Sequence, residues 1–418
     1  MLAWLSKVLL IRDDERPLAF YFLLIFLVIG WGTAIGRGTA DALFMKRFGV
    51  EYLPAFYAVL SPVLALTSLA YAATVDRLSA ERLFQRLLLV LGVVLLLCWL
   101  LIQFGTSELI YPFYFLVYEV ASEVLLIHGA LYLSQNLEAQ QAKRLTPPIL
   151  AGAQLGTILG GLTLVQLSET LGVQNLILAW FGSLLLAGAM ILSWHRLKGP
   201  SVFYRQGLRQ RPGWRTAGSE AVQGIKLLRR SNLLRVSSAA LFFMVIAFYI
   251  LNYMVHTVYT REFASEEALS SFYGGLVAIT SAAALLLQLT LTGRAIRRFG
   301  VRAVNLLFPG SLVIVFCGLS LSFTLPLALL GSFSKDTIMP AFRNPVRNLF
   351  FNALPANVQG RARATSLVVV MPLALLLAGA FLWFVQHFDQ PVLVAATGLG
   401  AAMLYLLYNL RMNKVYLA

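Results

Sequence analysis

Residues 87–102 read LLLVLGVVLLLCWLLI, a run without a single charged side chain. An α-helix needs about 20 mostly apolar residues to cross the hydrocarbon core of a bilayer. With its flanking residues, 83–103, this run therefore predicts a transmembrane helix. The same pattern recurs along the chain, and it predicts eleven further spans at residues 18–40, 52–75, 109–134, 147–168, 174–194, 234–258, 271–293, 302–323, 324–348, 363–386 and 391–411.

The composition of the whole chain agrees with this interpretation. Of its 418 residues, 59% are apolar and only 12% are charged, and the mean hydropathy is +0.78. Soluble domains carry about a quarter charged residues. Lipid must therefore solvate most of the surface. The two cysteines, Cys98 and Cys317, lie inside apolar runs, which predicts small core residues and neither a disulfide framework nor a metal site.

Basic residues are distributed asymmetrically about the predicted spans. If both termini are cytoplasmic, 28 of the 33 Lys and Arg residues fall in segments on the cytoplasmic side of the membrane. The five exceptions are Arg37, Lys46, Arg47, Arg261 and Lys335. This bias follows the positive-inside rule. It explains the net charge of +15 without nucleic-acid binding, and it predicts contact with anionic membrane lipids. We expect a monomer in a bacterial cytoplasmic (inner) membrane.

The spans divide into two sets of six around one polar segment. The predicted organisation is a cytoplasmic interfacial segment at 1–17, a six-helix bundle at 18–194, a basic cytoplasmic linker at 195–233 and a second six-helix bundle at 234–418. Short basic turns recur at equivalent places, DRLSAER at 76–82 and GRAIRRFG at 293–300. Such pseudo-symmetric halves are typical of secondary transporters, whose substrate site lies between the repeats near the middle of the membrane.

Two carboxylates lie near the centre of the fourth predicted span. Glu119 and Glu123 are four residues apart, which places both on one face of a helix. Ionisable residues at membrane depth are costly and point to function. Two close carboxylates in a low dielectric do not both ionise freely, so we expect one to hold a proton. The pair suits a proton relay or a partner for a cation.

The tenth span carries a stripe of basic residues. Positions four residues apart share a helix face, and here they are Lys335, Met339, Arg343 and Arg347. Lys335 is the deepest, and Asp336 beside it is a candidate counter-charge. Arg343 and Arg347 also have the length to reach headgroups by snorkelling. Pro340 and Pro345 interrupt the helix, which is tolerated where a helix lines a cavity.

Two further spans carry polar groups. In the first, Arg37 and Asp41 are four residues apart and are expected to pair, as a gate or as a structural link. In the seventh, a polar and aromatic face predicts a cavity wall; it consists of Tyr249, Asn252, Tyr253 and His256. His128 lies away from Glu119 and is interpreted as a packing residue. A small-xxx-small stripe on the fifth span, at Gly152, Gly156 and Gly160, predicts close helix packing.

No catalytic or nucleotide-binding motif accompanies these features. The chain contains no Walker A loop, zincin motif, CxxC pair or nucleophile elbow, so we expect neither an enzyme nor a bound cofactor or metal. The spans with buried polar groups are the first, fourth, seventh and tenth. In this the chain resembles the major facilitator superfamily, in which those four helices line a central cavity.

Several short stretches carry a more specific resemblance. They are residues 37–43 (RGTADAL), Phe113 and Tyr114 with Glu119, Gln135 with Asn136, 271–274 (SFYG), 299–301 (FGV), 344–347 (NPVR) and 360–362 (GRA). These stretches resemble the nucleotide (ATP/ADP) exchange translocases and their uncharacterised bacterial relatives. Glu119 matches the family's residue, Arg347 keeps the charge of the matched lysine, and Ala40 stands where the family's first helix has a lysine.

Together these features predict a secondary transporter that works by alternating access. The basic residues favour a small anionic or amphipathic substrate, such as a phosphorylated metabolite or a lipid headgroup, and the carboxylates favour coupling to protons. Three alternatives remain open: a nucleotide exchange translocase (an antiporter), a translocase for a lipid or lipid-linked precursor, and a membrane scaffold or sensor subunit that does not transport.

Overall fold

The computed structural model describes residues 12–75, 78–198, 231–352, 366–388 and 390–415. Most of the predicted interfacial segment and of the basic linker lies outside these residues. The same holds for Asp76 and Arg77 of the first basic turn and for the GRA stretch at 360–362.

The described residues are almost all helical, and they contain no strand. We number the membrane helices as α1 Arg16–Leu43, α2 Leu53–Val75, α3 Ala80–Phe104, α4 Ile110–Asn136, α5 Ala139–Leu171, α6 Leu176–Lys198, α7 Asn232–Glu262, α8 Glu266–Leu287, α9 Leu307–Leu321, α10 Leu325–Phe333, α11 Met371–Val385 and α12 Pro391–Val415. π-helical turns extend four of them: Phe44–Gly49 follows α1, Gln288–Thr292 follows α8, Ser334–Arg343 follows α10 and Ser366–Val370 precedes α11. Shorter helices at Gly293–Val304 and Asn344–Asn352 continue α8 and α10.

This order confirms the twelve-span, all-α prediction. Eight helical segments of the described chain are long and apolar enough to cross a membrane by length and composition, and Leu307–Leu321 and Met371–Gln386 are shorter apolar helices. Large apolar side chains are exposed on their outer sides, for example Leu321 at 89% and Phe104 at 76%. Such surfaces are stable in lipid and not in water, so the protein is an integral membrane protein.

Contacts group the chain into two compact units. The first contains Met1–Phe48, Ala73–Arg211 and Ser265–Ala282, and the second contains Gly49–Ala72, Pro212–Ala264 and Ala283–Ala418. Most of α2 therefore belongs to the second unit, and most of α8 to the first. The sequence predicted a division into two repeats at residues 195–233. Grouping by contacts does not test an internal repeat, so this division stays a prediction.

Small residues explain why α8 joins the first unit. A Cβ built on Gly161 of α5 would overlap the carbonyl oxygen of Gly274 on α8. Two turns further along α5, the hydroxyl of Ser168 is hydrogen-bonded to that of Ser270 on α8 at 3.0 Å. Glycines allow two backbones to approach this closely, which is how helices associate in lipid without a hydrophobic driving force.

The helix α2 joins the second unit through α11. Ser61 donates a hydrogen bond of 2.6 Å to the carbonyl oxygen of Pro372. A Cβ on Gly379 would lie 2.7 Å from the carbonyl oxygen of Pro54. Here again a glycine and a buried hydroxyl hold two apolar helices together.

The predicted glycine stripe on α5 packs closely against α1, as expected. A Cβ on Gly152 would lie 2.7 Å from the carbonyl oxygen of Leu23, and a Cβ on Gly156 or Gly160 would overlap the backbone of α1. The stripe therefore builds the α1–α5 interface.

One core prediction is wrong. Both cysteines are free, and Cys98 is buried as expected, but Cys317 on α9 is exposed. An apolar run in a membrane helix faces lipid on one side and protein on the other. The run alone therefore does not tell which side a small residue occupies.

Candidate functional site

The helix α10 changes form where its basic residues begin. Ser334–Arg343 is π-helical and has Pro340 inside it. Proline has no N–H to donate, and π-helical segments are frequent at functional sites. Lys335 and Arg343, the first and last basic residues of this segment, are both buried.

A hydrogen-bonded network surrounds Lys335 in the second unit. Its side chain is 3% exposed, and its Nζ donates to Oδ1 of Asn252 on α7 at 2.5 Å. The amide of Asn252 in turn donates to the hydroxyl of Tyr57 on α2 at 2.9 Å. The Asp336 carboxylate lies 3.8 Å from the Lys335 ammonium. Three helices thus share one buried cation.

Aromatic rings complete this network. The rings of Tyr57 and Tyr249 meet edge to face with centroids 4.8 Å apart, and the Lys335 ammonium lies 5.9 Å from the ring centroid of Phe248. A cation over an aromatic ring within about 6 Å is attracted by its quadrupole. The structure thus brings Lys335, predicted on the tenth span, together with Tyr249 and Asn252, predicted on the seventh.

Sequence reasoning missed Tyr57 and Phe248. Tyr57 is 2% exposed, and a buried tyrosine hydroxyl needs a hydrogen-bond partner. A tyrosine inside the second apolar span was therefore a usable signal. Phe248 carried none, because phenylalanine is common throughout the apolar spans.

The other two residues of the α7 face lie beside Asn252 or one turn beyond it. His256 is 3% exposed and Tyr253 is partly buried. The carbonyl oxygens of both accept hydrogen bonds of 2.8 Å from threonine hydroxyls one turn further along α7.

Arg343 and Arg347 line a separate small cavity in the second unit. Its other polar lining residues are Ser237, Asn305, Ser366, Tyr405 and Asn409. The Arg343 guanidinium pairs with the Tyr405 hydroxyl. None of the described lining residues carries a carboxylate, so the cavity is positively charged.

This cavity is separate from the lysine network. On α7 its lining ends at Leu241, and Lys335 is bound by Asn252. Eleven helical residues correspond to roughly 16 Å along the axis. The basic stripe predicted on the tenth span therefore divides into a deep lysine site and an arginine cavity.

In the first unit, Arg37 and Asp41 form the predicted pair, with 3.8 Å between Nε and Oδ2. Arg37 also lines a cavity of about 880 Å³, whose other polar lining residues are Thr33, Tyr118, Ser122 and Thr157. The pair thus lies at the wall of a mixed polar and apolar cavity.

Glu119 and Glu123 are partly buried on α4. The residues before them, Tyr118 and Ser122, line the cavity that contains Arg37. Neighbouring helix residues point about 100° apart. The carboxylates of Glu119 and Glu123 therefore leave α4 on the face next to the one that lines the cavity. Their expected role as a proton relay or as the partner of a cation stays a prediction.

The histidine on α4 has a structural role. His128 is buried, and its Nε2 is hydrogen-bonded to the carbonyl oxygen of Ala80 at 2.8 Å. It packs against Phe84 edge to face. This confirms the interpretation of His128 as a packing residue.

Comparison with known proteins identifies the fold. No protein-family profile and no curated protein match the sequence. Solved structures do match. The nucleoside transporter NupG superimposes with a TM-score of 0.64 at 15% identity, covering 94% of this chain and 99% of NupG. The inward-open xylose transporter XylE from E. coli gives 0.62 at 14% identity, covering 93% and 95%.

A third match is a POT family transporter in complex with 5-aminolevulinic acid. It gives a TM-score of 0.62 at 12% identity and covers 93% of this chain and 96% of that protein. At such low identities the likeness establishes the fold alone. It confirms the major-facilitator fold expected from the sequence.

Proposed function

We propose that the chain is a secondary active transporter that moves an anionic substrate across the cytoplasmic membrane by alternating access. The observation that carries this proposal is the buried Lys335 ammonium, held on a π-helical segment of α10 by Asn252 and Tyr57. Transport rather than catalysis is also supported by the fold, which the chain shares with transporters of nucleosides and xylose.

The energetics of Lys335 favour an anionic substrate. A charged group in a low dielectric is stable only when it is paired and hydrogen-bonded. Around Lys335 the neutral amide of Asn252 lies at 2.5 Å and the Asp336 carboxylate at 3.8 Å. A phosphate or carboxylate that reaches the ammonium forms a charge-assisted hydrogen bond with it, which is stronger than the bond to a neutral amide.

The arginine cavity supports the same substrate class. Arg343 and Arg347 extend the positive charge along α10, and hydroxyl and amide groups stand beside them. Guanidinium groups bind phosphate and carboxylate with two hydrogen bonds. An anion leaving Lys335 along α10 therefore meets a second favourable environment.

Coupling is assigned to the carboxylates of α4. When Glu119 or Glu123 is ionised, it attracts a cationic side chain; when it is protonated, it releases that side chain. One proton and one anion can therefore move together. In this scheme both termini face the cytoplasm, as the distribution of basic residues predicts, and the monomer is the working unit.

Uptake into proteoliposomes tests the proposal. The purified chain is reconstituted, and uptake of radiolabelled phosphate, sn-glycerol 3-phosphate and ATP is compared with uptake of neutral uridine and xylose. We expect uptake of at least one anion, and we expect Lys335→Met to abolish it. Lys414→Met is the matched control, because Lys414 is exposed at the end of α12.

The same assay separates the alternatives. ATP uptake that requires internal ADP indicates nucleotide exchange. Movement of fluorescent phosphatidylglycerol between leaflets indicates a lipid translocase. Uptake of neutral solutes only, or anion uptake that survives Lys335→Met, contradicts the proposal. No transport of any probe, together with a stably bound protein partner, indicates a scaffold or sensor.

A further inference from the structure

A groove on the outer surface of the first unit combines positive charge with an apolar floor. It runs between α3 and α6, near the start of α3 and the end of α6. Arg82 and Arg86 stand at one end, and Leu89, Leu185 and Leu192 line its length. All five side chains are exposed. The groove is distinct from both cavities described above.

The arginines lie at the depth of lipid headgroups. They occupy the first two turns of α3, a helix of 25 residues that is about 37 Å long at 1.5 Å per residue. Its ends therefore reach the headgroup region. Arg82 and Arg86 are four residues apart and share one face with Leu89, so a molecule that contacts both arginines can continue along the leucines.

The positive charge at the arginine end of the groove is not neutralised by any carboxylate of the described residues. Neither Arg82 nor Arg86 forms an ion pair with any carboxylate of the described residues. The adjacent Glu81 is 6% exposed and interacts with the buried tyrosine pair Tyr21 and Tyr132. Glu81 thus points into the unit, and the arginines point out of it.

A glycine keeps the floor of the groove open. Gly188 on α6 lines it, and a Cβ built there would meet only Leu88, at 4.0 Å. The glycine is therefore not required for close helix packing, in contrast to Gly161 on α5. Its effect is to leave the groove open at this position, as a channel between α3 and α6.

We propose that this groove is a specific binding site for one anionic phospholipid, with its phosphate on Arg82 and Arg86 and an acyl chain along the leucines past Gly188. The charge complementarity identifies the headgroup, and the apolar floor identifies a lipid rather than a soluble phosphate. The site is independent of the transport proposal.

Native mass spectrometry of the detergent-purified full-length chain tests the site. Dissociation constants for the first bound lipid are measured with phosphatidylglycerol and with phosphatidylethanolamine. Each basic residue near an anionic surface contributes roughly fivefold in affinity. Arg82→Ala with Arg86→Ala should therefore weaken phosphatidylglycerol binding roughly 30-fold, and phosphatidylethanolamine binding much less.

Two matched variants make the test decisive. Arg294→Ala with Arg297→Ala removes two exposed arginines from the other basic turn and should leave the affinity unchanged. Gly188→Leu fills the channel without altering charge and should weaken binding of phosphatidylglycerol. Helix content and monodispersity of each variant are checked by circular dichroism and size exclusion.

Three results would overturn the proposal. One is equal loss of affinity in the two arginine double variants, which indicates non-specific attraction. Another is wild-type binding by folded Gly188→Leu, which shows that no acyl chain occupies the channel. The third is displacement of the lipid by millimolar inorganic phosphate, which indicates a soluble anion as the ligand.

Discussion

Replacing Asn252 by leucine tests the buried network directly. Asn252 accepts a 2.5 Å hydrogen bond from Lys335 and donates a 2.9 Å hydrogen bond to Tyr57. A hydrogen bond to a charged group contributes about 2 kcal/mol and a neutral one about 1 kcal/mol. Asn252→Leu should therefore lower the free energy of unfolding by about 3 kcal/mol.

A double-mutant cycle isolates the lysine contact. Lys335→Met removes the buried cation and leaves Asp336 and the Asn252 oxygen without it, so this variant is itself destabilised; the cycle subtracts that cost. In the Lys335→Met background, Asn252→Leu loses only the bond to Tyr57, so its cost should fall to about 1 kcal/mol. The coupling free energy is then about 2 kcal/mol.

The assay is equilibrium unfolding with SDS in mixed micelles, followed by circular dichroism. Asn232→Leu is the matched control, because Asn232 is exposed and also accepts a hydrogen bond from a basic residue, Arg235, at 3.0 Å. Its effect should stay below about 0.5 kcal/mol. A coupling free energy below that value between Asn252 and Lys335 would refute the reasoning.

Three further predictions concern packing, orientation and coupling. Gly161→Val should lower the free energy of unfolding by about 1–3 kcal/mol because it overpacks the α5–α8 contact. Gly182 has open space around it, so Gly182→Ala should have little effect. Equal effects of the two substitutions would contradict the packing argument. Ser219→Cys, outside the described residues, should react with a membrane-impermeant maleimide only after cells are opened; labelling of intact cells would place the linker outside. Glu119→Gln with Glu123→Gln should remove the pH dependence of anion uptake, because the two carboxylates assigned to proton exchange are absent. An unchanged pH profile would exclude the relay.

Much of the fold was predictable because membrane insertion depends on local properties of the sequence. The span predicted at 83–103 corresponds to α3 at Ala80–Phe104, and that at 391–411 to α12 at Pro391–Val415. The length of an apolar run fixes where a helix crosses the bilayer, whatever its neighbours are. Glycine spacing likewise predicted the close packing of α5.

The sequence also identified the costly residues of the site. Lys335, Asn252 and Tyr249 stood out because polar groups are rare in these spans and must be satisfied there. The Arg37–Asp41 pair followed from its spacing of four, since such pairs depend on one helix alone.

The partners of these residues were decided by the tertiary structure. Lys335 pairs with a residue 83 positions away, and Asn252 with one 195 positions away. The tertiary structure also decided three other features: the exposure of Cys317, the separation of the arginine cavity from Lys335 and the grouping of α8 with the first unit. In a soluble protein the polar face of a helix marks its outside, but in lipid both faces are apolar. The rotation of each helix about its axis is therefore set by van der Waals packing against its neighbours, and no local pattern of residues encodes it.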